Sequence, residues 1–197
     1  MTFLEPVTLS GDLVVLDPLR VDDHDALVEA AADGHLWTLT YTGVPRPEEM
    51  HTAIDGYLAQ QAEGTMMAFT IRRRDTGLVI GMTTFCNVDA GNRRVEIGST
   101  WNARSVHRSG ANTECKLLLL SHAFDQLDCI AVEFRTHWLN QQSRRAIERL
   151  GAKQDGVLRS HRLMPNGSLR DTVVFSVTQA EWPAVRNELR RRLAEPR

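Results

Sequence analysis

The chain has 197 residues, of which 42% are hydrophobic and 24% charged, and this size and composition suit a single domain with a buried core over residues 1–197. Its formal net charge of −2 disfavours a nucleic-acid partner, because sequence-independent affinity for polyanions depends on Lys and Arg that neutralise phosphates. Three cysteines without metal-ligand spacing predict neither a disulfide nor a metal site. The sequence shows no membrane-spanning run and no secretory leader, so we expect a cytoplasmic protein without a membrane partner.

The first half of the chain predicts strands that pair as hairpins. Residues 12–16 form a β-like run, and apolar residues recur at helical spacing over residues 22–32 and 48–62. Two further β-like runs, residues 67–73 and 78–85, are separated by an Asp-Thr-Gly turn. We therefore expect an antiparallel first half of the sheet.

The second half predicts strands that alternate with helices. A strand over residues 95–101 precedes an apolar helix that begins near Thr113. After them come a strand (131–137), a helix (139–152) and the two strands of a hairpin (153–163 and 169–177). Together the two halves predict an α/β (α+β) fold with one mixed sheet of about six or seven strands and helices on both faces.

A short polar loop, residues 107–114, opens the apolar helix and contains a glycine. The first N–H groups of a helix have no partner within it, and the macrodipole leaves partial positive charge at that end. His107 and Arg108 add side-chain donors beside these groups. The loop thus predicts an anion site, and a cofactor that carries phosphates is the first hypothesis.

This loop and its neighbours resemble the GNAT superfamily of N-acetyltransferases, in the branch of the ribosomal-protein N-terminal (RimJ/RimL-type) acetyltransferases. The family's pyrophosphate loop reads Q/R-x-x-G-x-G/A and corresponds to residues 107–112. Gly110 matches, and Asn112 is a replacement that this branch often has before Thr-Glu. His107 replaces the usual Gln or Arg, and Arg108 replaces a common Gly. The strands and helices around the loop follow the family's order.

The resemblance implies the family's fold, with the sheet splayed between the fourth and fifth predicted strands. It implies acetyl-CoA, or another short acyl-CoA, as co-substrate in that opening. The residues that it places at the cofactor are Ser99, Thr100, Trp101, His107, Arg108, Ser109, Gly110, Ala111, Asn112, Thr113, Asn140 and Ser143. Ser99 stands where this branch commonly has Tyr, so a smaller wall is expected there. Relatives are often dimers, which makes a homodimer a further expectation.

Glu96 is the candidate general base. Acyl transfer from a thioester to an amine needs a group that takes the amine proton, donors for the oxyanion and a proton for the thiolate. Strand alternation predicts residues 95, 97 and 99 on one face and residues 96 and 100 on the other. The resemblance supports a carboxylate on this strand that acts directly or through water. The alternative is a structural Glu96 paired with Arg93 or Arg94.

Asn140 and Ser143 form a second candidate constellation. Asn140 suits a helix cap, a role compatible with cofactor contact. Ser143 shares a helix face with the apolar residues three, four and seven positions later, so its hydroxyl is expected to point inward. The resemblance places such a serine near the cofactor sulfur, where it can return a proton to the thiolate. Many relatives use a Tyr in this helix, which this chain lacks.

Other histidines and aromatic residues are weaker candidates for the functional site. His122, within the apolar helix, is expected to pack or to be exposed rather than to catalyse. His137 either lines the acceptor mouth or packs. Trp37, Tyr41 and Trp138 either form an aromatic wall for the acceptor or belong to the core.

Two functions remain open from the sequence. The first is an acetyl-CoA-dependent N-acetyltransferase in which a primary amine attacks the thioester directly in a ternary complex, the acceptor being a protein N-terminus or a small-molecule amine. The alternative is an acyl-CoA-binding sensor or regulatory domain with weak turnover, suggested by the departures at His107 and Arg108. The acceptor, the preferred acyl chain and the oligomeric state are left open.

Overall fold

The computed structural model describes residues 3–38, 43–164 and 166–195. A single mixed sheet organises this part of the chain, with strands in the order β1-β2-β3-β4-β5-β6-β8-β7. The strands are β1 (Leu9–Ser10), β2 (Val14–Pro18), β3 (Met67–Arg73), β4 (Val79–Asp89), β5 (Arg94–Asn102), β6 (Ala131–His137), β7 (Lys153–Leu163) and β8 (Leu169–Thr178). The helices are α1 (His24–Ala32), α2 (Met50–Ala62), α3 (Ala111–Ser121), α4 (Gln141–Arg149) and α5 (Trp182–Ala194).

The pairing pattern confirms the predicted mixed sheet. Strands β1 to β5 pair antiparallel, β5 and β6 pair parallel, and β6, β8 and β7 are again antiparallel. The sheet is slightly larger than predicted because the two residues of β1 pair with Leu16 and Val15 of β2. A strand of two residues is too short to show a period in the sequence.

Helices cover both faces of the sheet, as predicted. On one face α3 and α5 contact each other and enclose a core that includes Phe85, Leu119 and Phe175. On the other face α1 and α2 contact β4 and β3, and a second core includes Leu27 and Met50. We call the first the α3 face and the second the α1/α2 face.

Helix boundaries differ modestly from the sequence expectation. Helix α3 begins at Ala111, two residues before the predicted start, and continues into a π-helical turn over His122–Gln126. The predicted hairpin of β7 and β8 is present, with Gly167 at φ +80° in its turn, although Pro165 lies outside the described residues. Among the described residues, no helix is both long and apolar enough to cross a membrane.

Glu114 fixes the start of α3 against the edge of the sheet. Its buried carboxylate accepts the backbone N–H groups of Asp12, Leu13 and Val14 at 2.9, 2.7 and 2.8 Å. A Cβ on Gly11 would lie 2.4 Å from this carboxylate, so the approach requires glycine. One side chain thus satisfies three donors at the beginning of β2 and holds the N-terminal turn of α3 in place.

We predict that Glu114→Ala lowers the free energy of unfolding by about 3 kcal/mol, because it leaves three partly or fully buried N–H groups without a charged acceptor. Urea denaturation measures the effect. Glu148→Ala, on the exposed side of α4, is the matched control and should change stability by less than about 0.5 kcal/mol. Equal effects of the two substitutions would contradict the role assigned to Glu114.

Candidate active site

The sheet opens between β5 and β6. These strands pair at Arg94 and Ala131, Val95 and Val132, and Glu96 and Glu133, and the pairing ends there. Both strands continue, β5 to Asn102 and β6 to His137. The structure therefore has the splayed opening predicted between the fourth and fifth sequence-predicted strands, and the edge of β5 beyond Glu96 is free of β6.

A β-bulge at Ser99 changes which side chains face each way. Ser99 has φ +45°, and the pairing of β4 with β5 shifts between Met82 and Thr84. Proximity to Tyr57 of α2 places Ser99 on the α1/α2 face, together with Glu96. Thr100 instead contacts Lys116 of α3 at 2.5 Å. The predicted faces of Ser99 and Thr100 are thus wrong, because the bulge inserts one residue and reverses the alternation.

The polar loop before α3 has the form of an anion cradle. Gly110 lies at φ +98° and Arg108 at φ +64°, and the first hydrogen bond of the helix runs from Glu114 N to Gly110 O at 2.9 Å. Ala111 N donates to Ser109 Oγ at 3.3 Å. The N–H groups of Asn112 and Thr113 precede the helical ladder and are available to an external acceptor.

Side chains around the loop add to this cradle. His107 Nε2 lies 3.1 Å from the carbonyl oxygen of Asn102. The side chain of Asn102 donates to Asn112 Oδ1 at 3.4 Å, while its own Oδ1 is buried without a partner among the described residues. A buried acceptor of this kind suits an amide N–H or a hydroxyl of a ligand. The loop therefore fits a molecule that carries both phosphates and amides, as CoA does.

A cleft of about 240 Å³ adjoins the start of α3. Asn112 and Thr113 line it, together with residues of α4 and α5 that include Arg149 and Arg192. Arg192 also donates to the backbone carbonyl of Arg149. The cleft thus combines a helix N-terminus with two arginines and one acid, Glu195, and its positive groups outnumber the negative one.

Asn140 and Ser143 lie at the N-terminus of α4. Asn140 caps the helix, as its Oδ1 accepts the N–H of Ser143 at 3.0 Å, so the predicted capping role is confirmed. Ser143 is half-buried, and its hydroxyl meets no hydrogen-bond partner within residues 3–38, 43–164 and 166–195. That hydroxyl is therefore available to a ligand beside α4.

Glu96 is buried on the α1/α2 face at the last paired position of β5. Asn87 Nδ2 donates to Glu96 Oε2 at 2.6 Å, and Arg135 Nε lies 3.5 Å from the same oxygen. Burial raises the pKa of Glu96, against the opposing effects of Asn87 and Arg135. The alternative pairing of Glu96 with Arg93 or Arg94 is wrong, since Arg93 pairs with Asp128 and Arg94 with Glu133.

Gly98 lets the side chains of Glu96 and Cys86 approach the backbone of β5 closely. A Cβ at this position would lie 3.1 Å from Glu96 Oε1 and 2.7 Å from Cys86 Sγ. Burial raises the pKa of the Cys86 thiol to about 12, so this neighbour stays uncharged at neutral pH. Asn87 therefore holds Oε2 of Glu96, while Oε1 lies beside Gly98.

His122, His137 and Trp138 each contact a neighbouring group in the structure. His122 is half-buried near the ring of Phe85, which agrees with the expectation that it packs. His137 is buried and its Nδ1 accepts the N–H of Leu139 at 3.0 Å. Trp138 lies under the guanidinium of Arg144 at 4.2 Å.

The aromatic wall for the acceptor stays a prediction that the described residues do not test. Trp37 packs edge-on to His35 and Tyr41 lies outside the described residues. No group of three or more His, Cys, Asp or Glu side chains in the described ranges could hold a metal ion.

Sequence reasoning missed Lys116, Tyr57 and Asn87. The Lys116 ammonium is buried between the hydroxyls of Thr100 and Thr83, and burial lowers its pKa. Its position, three and four residues before Leu119 and Leu120, was the available signal, because a lysine interrupts an apolar stripe there. Asn87 and Tyr57 gave no such signal, since their contacts depend on the β4 bulge and on the packing of α2.

Comparisons with known proteins agree with this architecture. The sequence model described as "Acetyltransferase (GNAT) domain" matches residues 14–153. Over 106 residues the chain is 33% identical to the protein named "Putative ribosomal N-acetyltransferase YdaF" of Bacillus subtilis (strain 168). That alignment covers 54% of this chain and 57% of the relative, so it spans little more than half of either protein.

Two solved structures match nearly the whole chain. A GCN5-related N-acetyltransferase from Brucella melitensis has a TM-score of 0.86 and 29% identity, covering 97% of this chain and 87% of the other. Mycobacterium smegmatis RimJ in complex with CoA-disulfide has a TM-score of 0.79 and 25% identity, covering 95% of each chain. With the splayed sheet and the loop before α3, these matches show that the chain belongs to the GNAT acetyltransferase family, in its RimJ-type branch.

Proposed function

We propose that the protein is an acetyl-CoA-dependent N-acetyltransferase that acts on a primary amine. The observation that carries the proposal is the opening between β5 and β6, which has the anion cradle of α3 at one end and the buried carboxylate of Glu96 on its α1/α2 face. Family membership and the CoA-disulfide named in the RimJ complex support acetyl-CoA as the co-substrate.

Different residues at the opening would bind different parts of the cofactor. The N–H groups of Asn112 and Thr113 and the charge of Arg108 would hold the pyrophosphate. The free edge of β5 from Ser99 to Trp101 would pair with the pantetheine amides, because backbone groups without a strand partner need acceptors and donors. The thioester supplies the acetyl group, and its sulfur would lie toward Asn140 and Ser143.

Glu96 and Ser143 supply the proton transfers. Glu96 Oε1 takes a proton from the attacking amine, directly or through one water, as the new C–N bond forms and the C–S bond breaks. Burial strengthens Glu96 as a base because it raises the pKa of the carboxyl. The Ser143 hydroxyl, unpaired within the described residues, gives a proton to the leaving sulfur and recovers one from solvent.

The direct test combines calorimetric titration with acetyl-CoA and a thiol-release assay over a panel of peptide N-termini and small amines. Binding with thiol release on one acceptor class supports the enzyme. Binding without release on any acceptor favours the regulatory alternative, and absence of binding contradicts the cofactor site.

We predict that Asn112→Asp weakens acetyl-CoA binding at least tenfold, about 1.4 kcal/mol, since it places a negative charge beside the pyrophosphate cradle. The same charge favours the helix dipole of α3, so the free energy of unfolding should stay constant or rise by a few tenths of a kcal/mol. Calorimetry and urea denaturation measure the two effects. Asn187→Asp on the exposed side of α5 is the control and should leave both unchanged.

We predict that Glu96→Gln lowers kcat on the best acceptor of that panel by about 100-fold or more while the Kd for acetyl-CoA changes less than twofold. Folding raises the pKa of Glu96, so the ionised carboxylate is less stable in the folded protein than in the unfolded chain, and a neutral replacement should not lower the free energy of unfolding. Steady-state kinetics, calorimetry and urea denaturation measure the three effects. Parallel losses of activity, cofactor affinity and stability would indicate a structural role instead.

Asn87 should set the pH range of the base. Asn87 has φ +45°, which glycine tolerates, so Asn87→Gly removes the hydrogen bond to Glu96 without backbone strain. Loss of a donor to the ionised carboxylate raises the pKa of Glu96 further, and the acid limb of kcat/KM should move to higher pH. Asn87→Asp, which adds a like charge, should move it further. If the acid limb of kcat/KM does not shift in either variant, the group that titrates in this limb is not Glu96.

A further inference from the structure

Two arginines face each other across the β7–β8 hairpin. Arg162 of β7 is directly opposite Arg170 of β8 in the antiparallel register. Like charges in this position destabilise a strand pair. Neither guanidinium has a hydrogen bond or an ion pair within the described residues, and Arg170 Nε is buried without a partner. Arg162 is exposed to water, whereas the half-buried Arg170 carries a desolvation cost that a bound anion would offset.

Neighbouring arginines on β7 and β6 are paired. Arg159 Nε lies 2.6 Å from Asp171, and Arg135 Nη2 lies 2.8 Å from Glu133. Acids therefore lie beside Arg159 and Arg135, whereas Arg162 and Arg170 have no ion pair within the described residues.

The register puts the arginine pair on the same face as Glu96. His137 pairs with Thr172, and Arg170 lies two residues before Thr172 on the same side of β8. Strand β6 lies between β8 and β5, and Glu96 of β5 pairs with Glu133 of β6. Glu133 and His137 are four residues apart on β6 and therefore share a face. Electrostatic interactions of Glu96 with both Arg162 and Arg170 agree with this placement.

A bulge in β7 gives Arg162 its position. The pairing of β7 with β8 shifts between Leu158 and Arg162, and Ser160 has φ +48°. Asp171 holds the bulge, since its Oδ1 accepts the Ser160 N–H at 2.7 Å. A bulge re-aims the side chains that follow it, and here it brings Arg162 opposite Arg170.

We propose that the amine acceptor carries an anionic group, a carboxylate or a phosphate, which Arg162 and Arg170 bind while the amine lies at Glu96. This inference rests on the proposed function and specifies its substrate class. Two guanidinium groups offer the paired donors that carboxylate and phosphate oxygens accept. The same charges repel polycationic acceptors such as polyamines.

The binding test uses CoA-saturated protein, in which no transfer takes place, labelled with ¹⁵N-arginine. Three probes share a four-carbon chain: 4-aminobutyrate, its neutral amide and putrescine. Saturable shifts of the Arg162 and Arg170 Nε–Hε signals are expected with 4-aminobutyrate alone, and Arg→Lys variants assign the signals. Absence of shifts, or equal shifts with the amide, would overturn the proposal. 3-Aminopropylphosphonate distinguishes a phosphate preference from a carboxylate preference.

The transfer test measures thiol release with the same amines. Arg162→Gln and Arg170→Gln should each lower kcat/KM for the anionic amine by roughly tenfold and leave the neutral amide and the KM for acetyl-CoA unchanged. Arg159→Gln, whose side chain is exposed and paired with Asp171, is the control and should keep the wild-type preference.

The two tests fail in distinguishable ways. Acetyl-CoA binding without thiol release on any amine contradicts the proposed function, while the arginine signals still decide the anion site. If the rate of thiol release is independent of the acceptor's charge in both the wild type and the variants, the anion site is overturned and the acetyltransferase function still stands.

Discussion

The end of parallel pairing between β5 and β6 is the constraint on which the rest of the site depends. After Glu96 and Glu133 the two strands separate, although each continues for several residues. A buried backbone edge without a partner is costly, so such an opening persists where a ligand or water completes it. The carboxylate of Glu114 anchors the N-terminal turn of α3 to the start of β2, and the loop before α3 supplies donors without contributing a strand.

Three bulges adapt a regular sheet to this opening. Asn87, Ser99 and Ser160 are non-glycine residues in strands with positive φ, each of which carries a cost of about 1–3 kcal/mol. The first directs an amide to Glu96, the second places Ser99 next to Tyr57, and the third aligns Arg162 with Arg170. Each departure from regular pairing thus reorients a polar side chain on the α1/α2 face, where the proposed transfer takes place.

These bulges also mark where sequence reasoning fails. Hydrophobic periodicity predicted the mixed sheet, and β6 and β7 begin and end where the sequence predicted them. The opening was implied by the family resemblance. Strand alternation assigned Thr100 to the wrong face, because the residue inserted at Ser99 reverses the two-residue alternation of side chains. Glu96 was given a partner on its own strand, whereas its contacts come from β4 and β6. Registers between strands distant in sequence depend on tertiary packing, which local patterns do not encode.

The charges on the α1/α2 face couple the two halves of the proposed site. Burial raises the pKa of Glu96, while Arg135 and Arg162 lower it. An anionic acceptor bound between Arg162 and Arg170 would offset part of this positive field, so the pKa of Glu96 would rise once the acceptor is in place. A stronger base would then coincide with the arrival of the amine that it deprotonates. Cationic amines would gain neither the contact with the arginines nor the strengthened base, so the same charges would act on both binding and turnover.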